Sequence, residues 1–337
     1  MRRFPACSSS GGPLRARAAL IVMALAGSLF AGFGTAAAQT DPSSVADLPP
    51  DSSPAPSSGP SMTVQLGFAG QAKIGDWLPV TVQVSNSGAS VTGELQIVVD
   101  DEAGNTQRNR TLNARPPTVY TVPASLPSNS RKQYQIDVFL PLPAKSLDVK
   151  LVTDQGVLVT ATGNLQALSG SDVLCGTLSG NQDFFQLLKN IDLPGRQGKK
   201  PSIVALKPSD LPPRQHALSS LDCLIVNNVS MMGLTADQKA ALVGWVDDGG
   251  LLILGGGSGW QKTLQPLPKE LLPVDVTGVK SIPSMQSLVD FAQQPLKGDG
   301  PWLVSAGKVV NGTVVAQDAD VPLLVGARRG KGAVVYL

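Results

Sequence analysis

The sequence predicts a multidomain chain: an antiparallel β-sandwich followed by an α/β domain built on a doubly wound parallel sheet. Three observations predict it. Between Met62 and about Leu165, apolar and polar residues alternate in seven short runs separated by turn residues, with no helical period. From Ser171 onward the period changes, and short apolar runs alternate with segments of helical spacing. Finally, the stretch from Asp222 to Trp260 reads as strand, capped helix, glycine stop, buried strand and glycine-rich loop, which is one crossover of a parallel sheet.

The chain opens with the pattern of an export leader over residues 1–38. Arg2, Arg3, Arg15 and Arg17 make a basic start, residues 18–33 are uncharged and mostly apolar, and Ala36, Ala37 and Ala38 offer a small-residue cleavage site. Cleavage is the favoured reading; an uncleaved membrane anchor is the alternative, on a stretch at the short edge of what spans a bilayer. Cys7 precedes the apolar run, so it is not placed as a lipoprotein cysteine, and Arg2-Arg3 is too bare for a twin-arginine signal. The whole chain has 27 basic and 25 acidic residues. Without the four arginines of the leader, 23 basic residues face 25 acidic ones, a net charge of −2. That balance gives no argument for nucleic acid or for an anionic membrane surface as a partner.

Residues 39–61 hold six prolines and seven serines and almost no large apolar side chains. Such a segment cannot bury enough surface to fold and reads as a spacer. The sandwich is expected over 62–168, with strands at 62–69, 78–84, 94–99, 118–122, 133–140, 147–152 and 157–160. The α/β domain is expected over 169–337. Its first strand is near 172–176. A helix then starts at Asn181, with Phe184, Phe185, Leu187, Leu188 and Ile191 inward, and stops at Pro194-Gly195. Strands follow at 202–206 and 221–226. Thr235 and Gln238 form a capping box for the next helix, whose inner face is Ala241, Leu242, Trp245 and Val246, and Gly249-Gly250 ends it. Leu251 to Leu254 is short and wholly apolar, as in a strand covered on both faces. Residues 284–293 form a short helix with Leu288, Phe291 and Ala292 inward. Asn311-Gly312 between 308–310 and 313–315 signals a β-hairpin. A last buried strand, 332–337, has nothing after it, which suggests that the natural protein continues.

Two family resemblances follow from these residues. The segment 75–88, with Trp77 at its start and Ser85, Asn86, Ser87 and Gly88 at its turn, resembles the opening strands of immunoglobulin-like modules in bacterial surface proteins. The stretch 222–260, with the later strand 330–336, resembles the class I glutamine-amidotransferase-like (flavodoxin-like) fold. It is most similar to the non-catalytic version found in large, membrane-anchored bacterial envelope proteins. That resemblance spans 171–337 and implies a C-terminal membrane anchor outside this chain.

The residues that could do chemistry are few. Catalytic members of that fold use a cysteine on a sharp strand-to-helix turn with a His-Glu pair. Here Cys175 lies inside its strand and Cys223 near the start of another, and both read as buried free thiols. His216, the single histidine, precedes the same strand as Cys223, whereas ligands of open α/β sheets bind beyond the carboxyl ends of strands. Ser258 has Gly256 two residues before it but Trp260 two residues after, so it makes no nucleophile elbow. Gly255 to Gly259 lacks the Lys-Ser/Thr of a phosphate-binding loop. One histidine and no C-x-x-C offer no metal site. No catalytic residue, metal or cofactor is therefore expected. The candidate ligand crevice consists of Thr177, Ser179, Asn227, Asn228, Ser230, Ser258 and Trp260, uncharged groups suited to a neutral ligand.

The expected function is a non-enzymatic, exported cell-envelope protein with a binding or scaffolding role outside the cytoplasm, toward an envelope protein or a neutral ligand. The alternative is an extracytoplasmic hydrolase or amidase whose catalytic residues lie beyond Leu337. A carbohydrate-binding sandwich is a third reading. It has only Trp77, Tyr120 and Tyr134 as sugar platforms, and strand aromatics usually face the core.

Overall fold

Alternation of apolar and polar side chains along a strand turns one set inward, and the runs of the first half follow it over much of their length. The computed structural model describes residues 59–99, 117–192, 199–295 and 300–337. The leader, most of the spacer and the Pro194-Gly195 helix stop lie outside the described residues. The first nine strands are β1 (Pro60–Leu66), β2 (Gln71–Lys73), β3 (Trp77–Asn86), β4 (Val91–Val99), β5 (Thr118–Leu126), β6 (Ser130–Phe139), β7 (Ser146–Thr153), β8 (Gly156–Asn164) and β9 (Gln166–Leu168). All seven expected strands are among them, with β2 and β9 in addition.

The chain divides into two compact units. The first, whose described part runs to Gln71 and from Pro79–Ala167, is a β-sandwich of two sheets. One sheet has the order β1-β3-β6 and the other β5-β4-β7-β8. Pairings β1–β3, β4–β5, β4–β7 and β7–β8 are antiparallel. Val80, Val82 and Val84 of β3 and Leu95, Ile97 and Val99 of β4 are buried at alternate positions. Asn86 closes β3. Its buried amide donates to the carbonyls of Ala89, Leu126 and Pro127 and its Oδ1 accepts the Gly88 N–H, so one side chain ties two turns. β1 begins at Pro60, inside the expected spacer, because a proline is tolerated as the first residue of a strand.

The second unit comprises Ala72–Leu78 and Leu168–Leu337. Its strands are β10 (Leu174–Ser179), β11 (Ser202–Leu206), β12 (Cys223–Asn227), β13 (Leu251–Leu254), β14 (Val274–Ile282), β15 (Trp302–Val309), β16 (Thr313–Asp318), β17 (Val321–Arg329) and β18 (Gly332–Tyr336). Its α-helices are α1 (Ala236–Asp248), α2 (Trp260–Thr263) and α3 (Gln286–Ala292), and the 3₁₀ helices used below are η1 (Asp183–Asn190) and η2 (Gln215–Leu218). A seven-stranded sheet runs β11-β10-β12-β13-β18-β17-β16. Its first five strands are parallel; β17 and β16 join antiparallel. Strand content dominates, and the helical cover is light: α1 has 13 residues, α2 four and α3 seven. The all-parallel, doubly wound layer is corrected to a mixed sheet. The long connection from β13 to β18 supplies four further strands rather than a crossover helix.

Burial follows from that sheet. Cys175, Cys223, Ile225, Ile253 and Val335 share one core with Phe185, Leu188, Met285 and Leu288. The alternate residues Leu224, Leu252 and Val334 are equally buried, so the central strands are covered on both faces. The capping box of α1 is present: Thr235 accepts the Gln238 N–H, and the Gln238 side chain returns to the Thr235 N–H. Gly249 ends the helix at φ 131°, a conformation closed to side chains with a Cβ.

Three local expectations change. The helix after Asn181 is a 3₁₀ helix without a side-chain cap. Three residues per turn align Phe185, Leu188 and Ile191 inward and leave Leu187 57% exposed. The Asn311-Gly312 hairpin does not form: β15 pairs with β14 and β16 with β17. The N–H groups of Val310 and Asn311 bond the Pro273 carbonyl, which carries the chain from one ribbon to the other. Ala72–Leu78, expected inside the sandwich, groups with the second unit. Lys73 reaches Asp222 there, Ser220 Oγ accepts the Lys73 N–H, and Ser219 Oγ accepts the Trp77 N–H.

Candidate functional site

Parallel strands end together, so the residues that follow them form one edge. β10 and β12 are paired from Cys175↔Cys223 to Ser179↔Asn227, which sets Ser179 beside Asn227 at that edge. Asn228 follows with φ 47°, a left-handed position that asparagine tolerates better than most residues. The loop after β13 lies against both asparagines. A Cβ at Gly255 would strike Asn227 Oδ1, one at Gly259 would strike Asn228 Oδ1, and one at Gly180 would lie 3.2 Å from the Asn228 carbonyl. The glycine cluster is therefore explained by close approach of polar side chains to backbone. Ser230 and Ser258 are exposed on the same loops.

Two members of the expected crevice are placed elsewhere. Thr177 is 1% exposed, and its Oγ1 lies 2.7 Å from Gln182 Oε1 and 3.2 Å from the Val204 carbonyl. It faces inward because it is not the last residue of β10. Trp260 opens α2 and is buried, its bulk used in packing. The edge itself is thus formed by Ser179, Asn227, Asn228, Ser230 and Ser258, all uncharged. The Ser179 hydroxyl already accepts the Asn181 N–H at 3.2 Å.

Sequence reasoning missed Ser305 and Tyr336. The two hydroxyls are hydrogen-bonded to each other, and Ser305 Oγ also accepts the Gly257 N–H at 3.1 Å. A Cβ at Gly256 would run into Ser305 Oγ and lie 2.9 Å from Tyr336 Oη. Burial raises the Tyr336 phenol above its usual value, and its bond with Ser305 partly offsets this. A signal existed: a tyrosine in an otherwise apolar strand needs a partner for its hydroxyl.

A second set of titratable groups, Lys73, Asp222 and His216, lies at the opposite, amino-terminal end of β10 and β12. Asp222 Oδ2 accepts the N–H of Leu174, the first residue of β10, and lies 2.5 Å from Lys73 Nζ. Ser220 Oγ accepts the Lys73 N–H and donates to the Trp77 carbonyl, and Ser219 Oγ accepts the Trp77 N–H. The Trp77 ring meets His216 of η2 edge to face, with centroids 5.0 Å apart. Cys175 and Cys223 are free and buried. The Cys223 thiol is held well above its usual range by its hydrogen bond with Cys175, then by burial and neighbouring negative charge. Among the described residues no group of three or more His, Cys, Asp or Glu could hold a metal ion. No helix among them is long and apolar enough to cross a membrane.

Residues 59–168 match the model of a domain of unknown function, DUF8726. No curated protein matches the chain. Among solved structures, the chain is similar to the CARDB domain of a Pyrococcus furiosus protein in complex with di-metal ions. That match has 14% identity and a TM-score of 0.22, over 38% of this chain and 100% of that one. It is also similar to a β-glucosidase from Listeria innocua in complex with glucose, at 11% identity and a TM-score of 0.19. There the match spans 32% of this chain and 17% of the enzyme.

Proposed function

We propose that the chain is a non-enzymatic, exported cell-envelope protein with a binding or scaffolding role. The observation that carries this reading is the separation of chemistry from the sheet mouth. Ser179, Asn227, Asn228, Ser230 and Ser258 bring only uncharged hydrogen-bonding groups to the carboxyl edge. His216 packs on Trp77 ahead of β12, and both thiols are buried and hydrogen-bonded. A nucleophile needs a base within hydrogen-bond reach and access to substrate, and neither arrangement suits that chemistry. The neutral edge suits an envelope protein or an uncharged ligand.

The order of the five parallel strands, β11-β10-β12-β13-β18, is 2-1-3-4-5 in chain order. That order supports a flavodoxin-like, class I amidotransferase-like ancestry for the second unit, in a non-catalytic form. Attachment to the membrane through a C-terminal anchor outside this chain belongs to the same proposal, as does export through residues 1–38.

Two experiments test it. Fractionation of cells producing the tagged protein, with N-terminal sequencing, should find it outside the cytoplasm and cut after Ala38; recovery from the cytoplasm with Met1 intact removes the export reading. Amidase and hydrolase assays on the purified protein should give no turnover. Turnover abolished by Cys175→Ala or Ser258→Ala would establish the hydrolase instead.

A further inference from the structure

Beside the glycine loop, a cavity of about 70 Å³ lies between the sheet and α3. Met285, Leu288, Val304 and Leu323 supply apolar walls, and Leu303, 55% exposed, brings the cavity to the surface. The polar side chains lining it are Ser305 and Tyr336, 5% and 2% exposed. No lining side chain is charged.

The two hydroxyls can be counted. Ser305 and Tyr336 bring two protons, and their mutual hydrogen bond uses one of them. The Gly257 N–H donates to Ser305 Oγ, so it occupies an acceptor site and consumes no hydroxyl proton. Whichever way the pair is oriented, one O–H must point away from it. A spare donor in an apolar, uncharged cavity selects an uncharged acceptor, because a buried donor without a partner is costly. Size narrows the choice. A cavity of about 150 Å³ takes benzene, so this one has room for about three or four heavy atoms. A carbonyl with a methyl beside it meets both conditions.

We propose that this cavity binds the short acyl end of a neutral small molecule, the carbonyl oxygen accepting the spare hydroxyl proton of the Ser305–Tyr336 pair and the methyl lying among Met285, Leu288 and Leu323. This goes beyond the binding role proposed above and depends on neither export nor scaffolding, so its failure would leave that reading intact.

Methyl-labelled NMR titrations of the full chain test it with 2-butanone and its isostere 2-methyl-1-butene, which lacks only the acceptor. Both probes should move the Met285, Leu288, Val304 and Leu323 methyls, with the ketone bound about fivefold more tightly, the contribution of one neutral hydrogen bond. The double variant Ser305→Ala/Tyr336→Phe should lose that preference while binding the alkene as before. Each single variant retains one unpaired hydroxyl and should keep the preference. Equal affinities for the two probes in the unaltered protein would overturn the proposal, as would shifts confined to other methyls or no shifts with either probe. If the double variant does not fold, the comparison in the unaltered protein decides alone.

Discussion

The Lys73 ammonium lies 2.5 Å from Asp222 Oδ2, and the same oxygen accepts the Leu174 N–H at 2.8 Å. One carboxylate therefore holds both the segment Ala72–Leu78 and the first residue of β10. The partners differ in exposure, with side chains 5% exposed for Lys73 and 30% for Asp222. Removing the carboxylate strands a buried ammonium; removing the ammonium leaves a carboxylate that still meets water and a backbone donor. Asp222→Ala should therefore cost about 3 kcal/mol and Lys73→Met roughly half of that. Urea unfolding of both variants and of the double variant measures the difference. Equal losses would refute the asymmetry drawn from burial, and losses within about 0.5 kcal/mol of zero would show that the pair does not anchor the segment.

Cys175 and Cys223 occupy directly paired positions on adjacent parallel strands and are both buried. With the Cys223 thiol held well above its ordinary range, thiolate is scarce and access is closed. Iodoacetamide should leave both peptides unmodified in the native protein, even at mildly alkaline pH, and label both completely in denaturant. Peptide mass spectrometry resolves them from Cys7. Rapid native labelling of Cys223 would mean an accessible, activated thiol and would reopen the question of nucleophilic chemistry.

Gly256 faces the Ser305–Tyr336 hydroxyl pair with no room for a Cβ. Gly256→Ala should destabilise the protein by about 1–3 kcal/mol, as overpacking does. The added Cβ would meet Ser305 Oγ most closely and Tyr336 Oη next, at 2.9 Å, so Gly256→Ala/Ser305→Ala should recover part of that loss. Thermal unfolding of the three variants checks the coupling, and strictly additive losses would place the strain elsewhere.

Much of the strand pattern was legible because it is local. Period-two alternation found the seven sandwich strands, and β11 and β13 appear at the residues read from their apolar runs. The Thr235–Gln238 box and the Gly249 stop were legible for the same reason, since a cap is satisfied within a few residues. What was not legible depends on partners far along the chain. Lys73 is 149 residues from Asp222, and Ser305 is 31 from Tyr336. Nothing near Ser305 announces that Gly256 and Gly257 will lie on its hydroxyl. The Asn311-Gly312 signal failed because strand pairing is decided by available edges: β14 had already taken β15. The candidate edge was legible in kind, as uncharged groups after parallel strands. Thr177 was misplaced by the difference between sitting within a strand and ending it.

Asp76 gives a pH test of the same corner of the second unit. Its N–H closes a turn onto the Lys73 carbonyl, and its half-buried carboxyl is raised above 3.8. Burial is the main cause, and Asp222 adds repulsion; the Lys73 charge and the hydrogen bond with Ser219 oppose it without cancelling it. The sign follows from proton counting. Between 3.8 and the raised native value, the folded chain binds more protons than the unfolded one. Stability contributed by this group is then full below 3.8, falls as the pH rises through that window, and stays reduced at neutral pH. Asp76→Asn removes the ionisation and should raise Tm at neutral pH, with the gain shrinking toward zero in acid below 3.8. Scanning calorimetry of the two proteins across that range measures it. A gain that grows as the pH falls, or a loss at neutral pH, would mean that the attraction to Lys73 outweighs burial and that Asp76 is ionised to its own advantage.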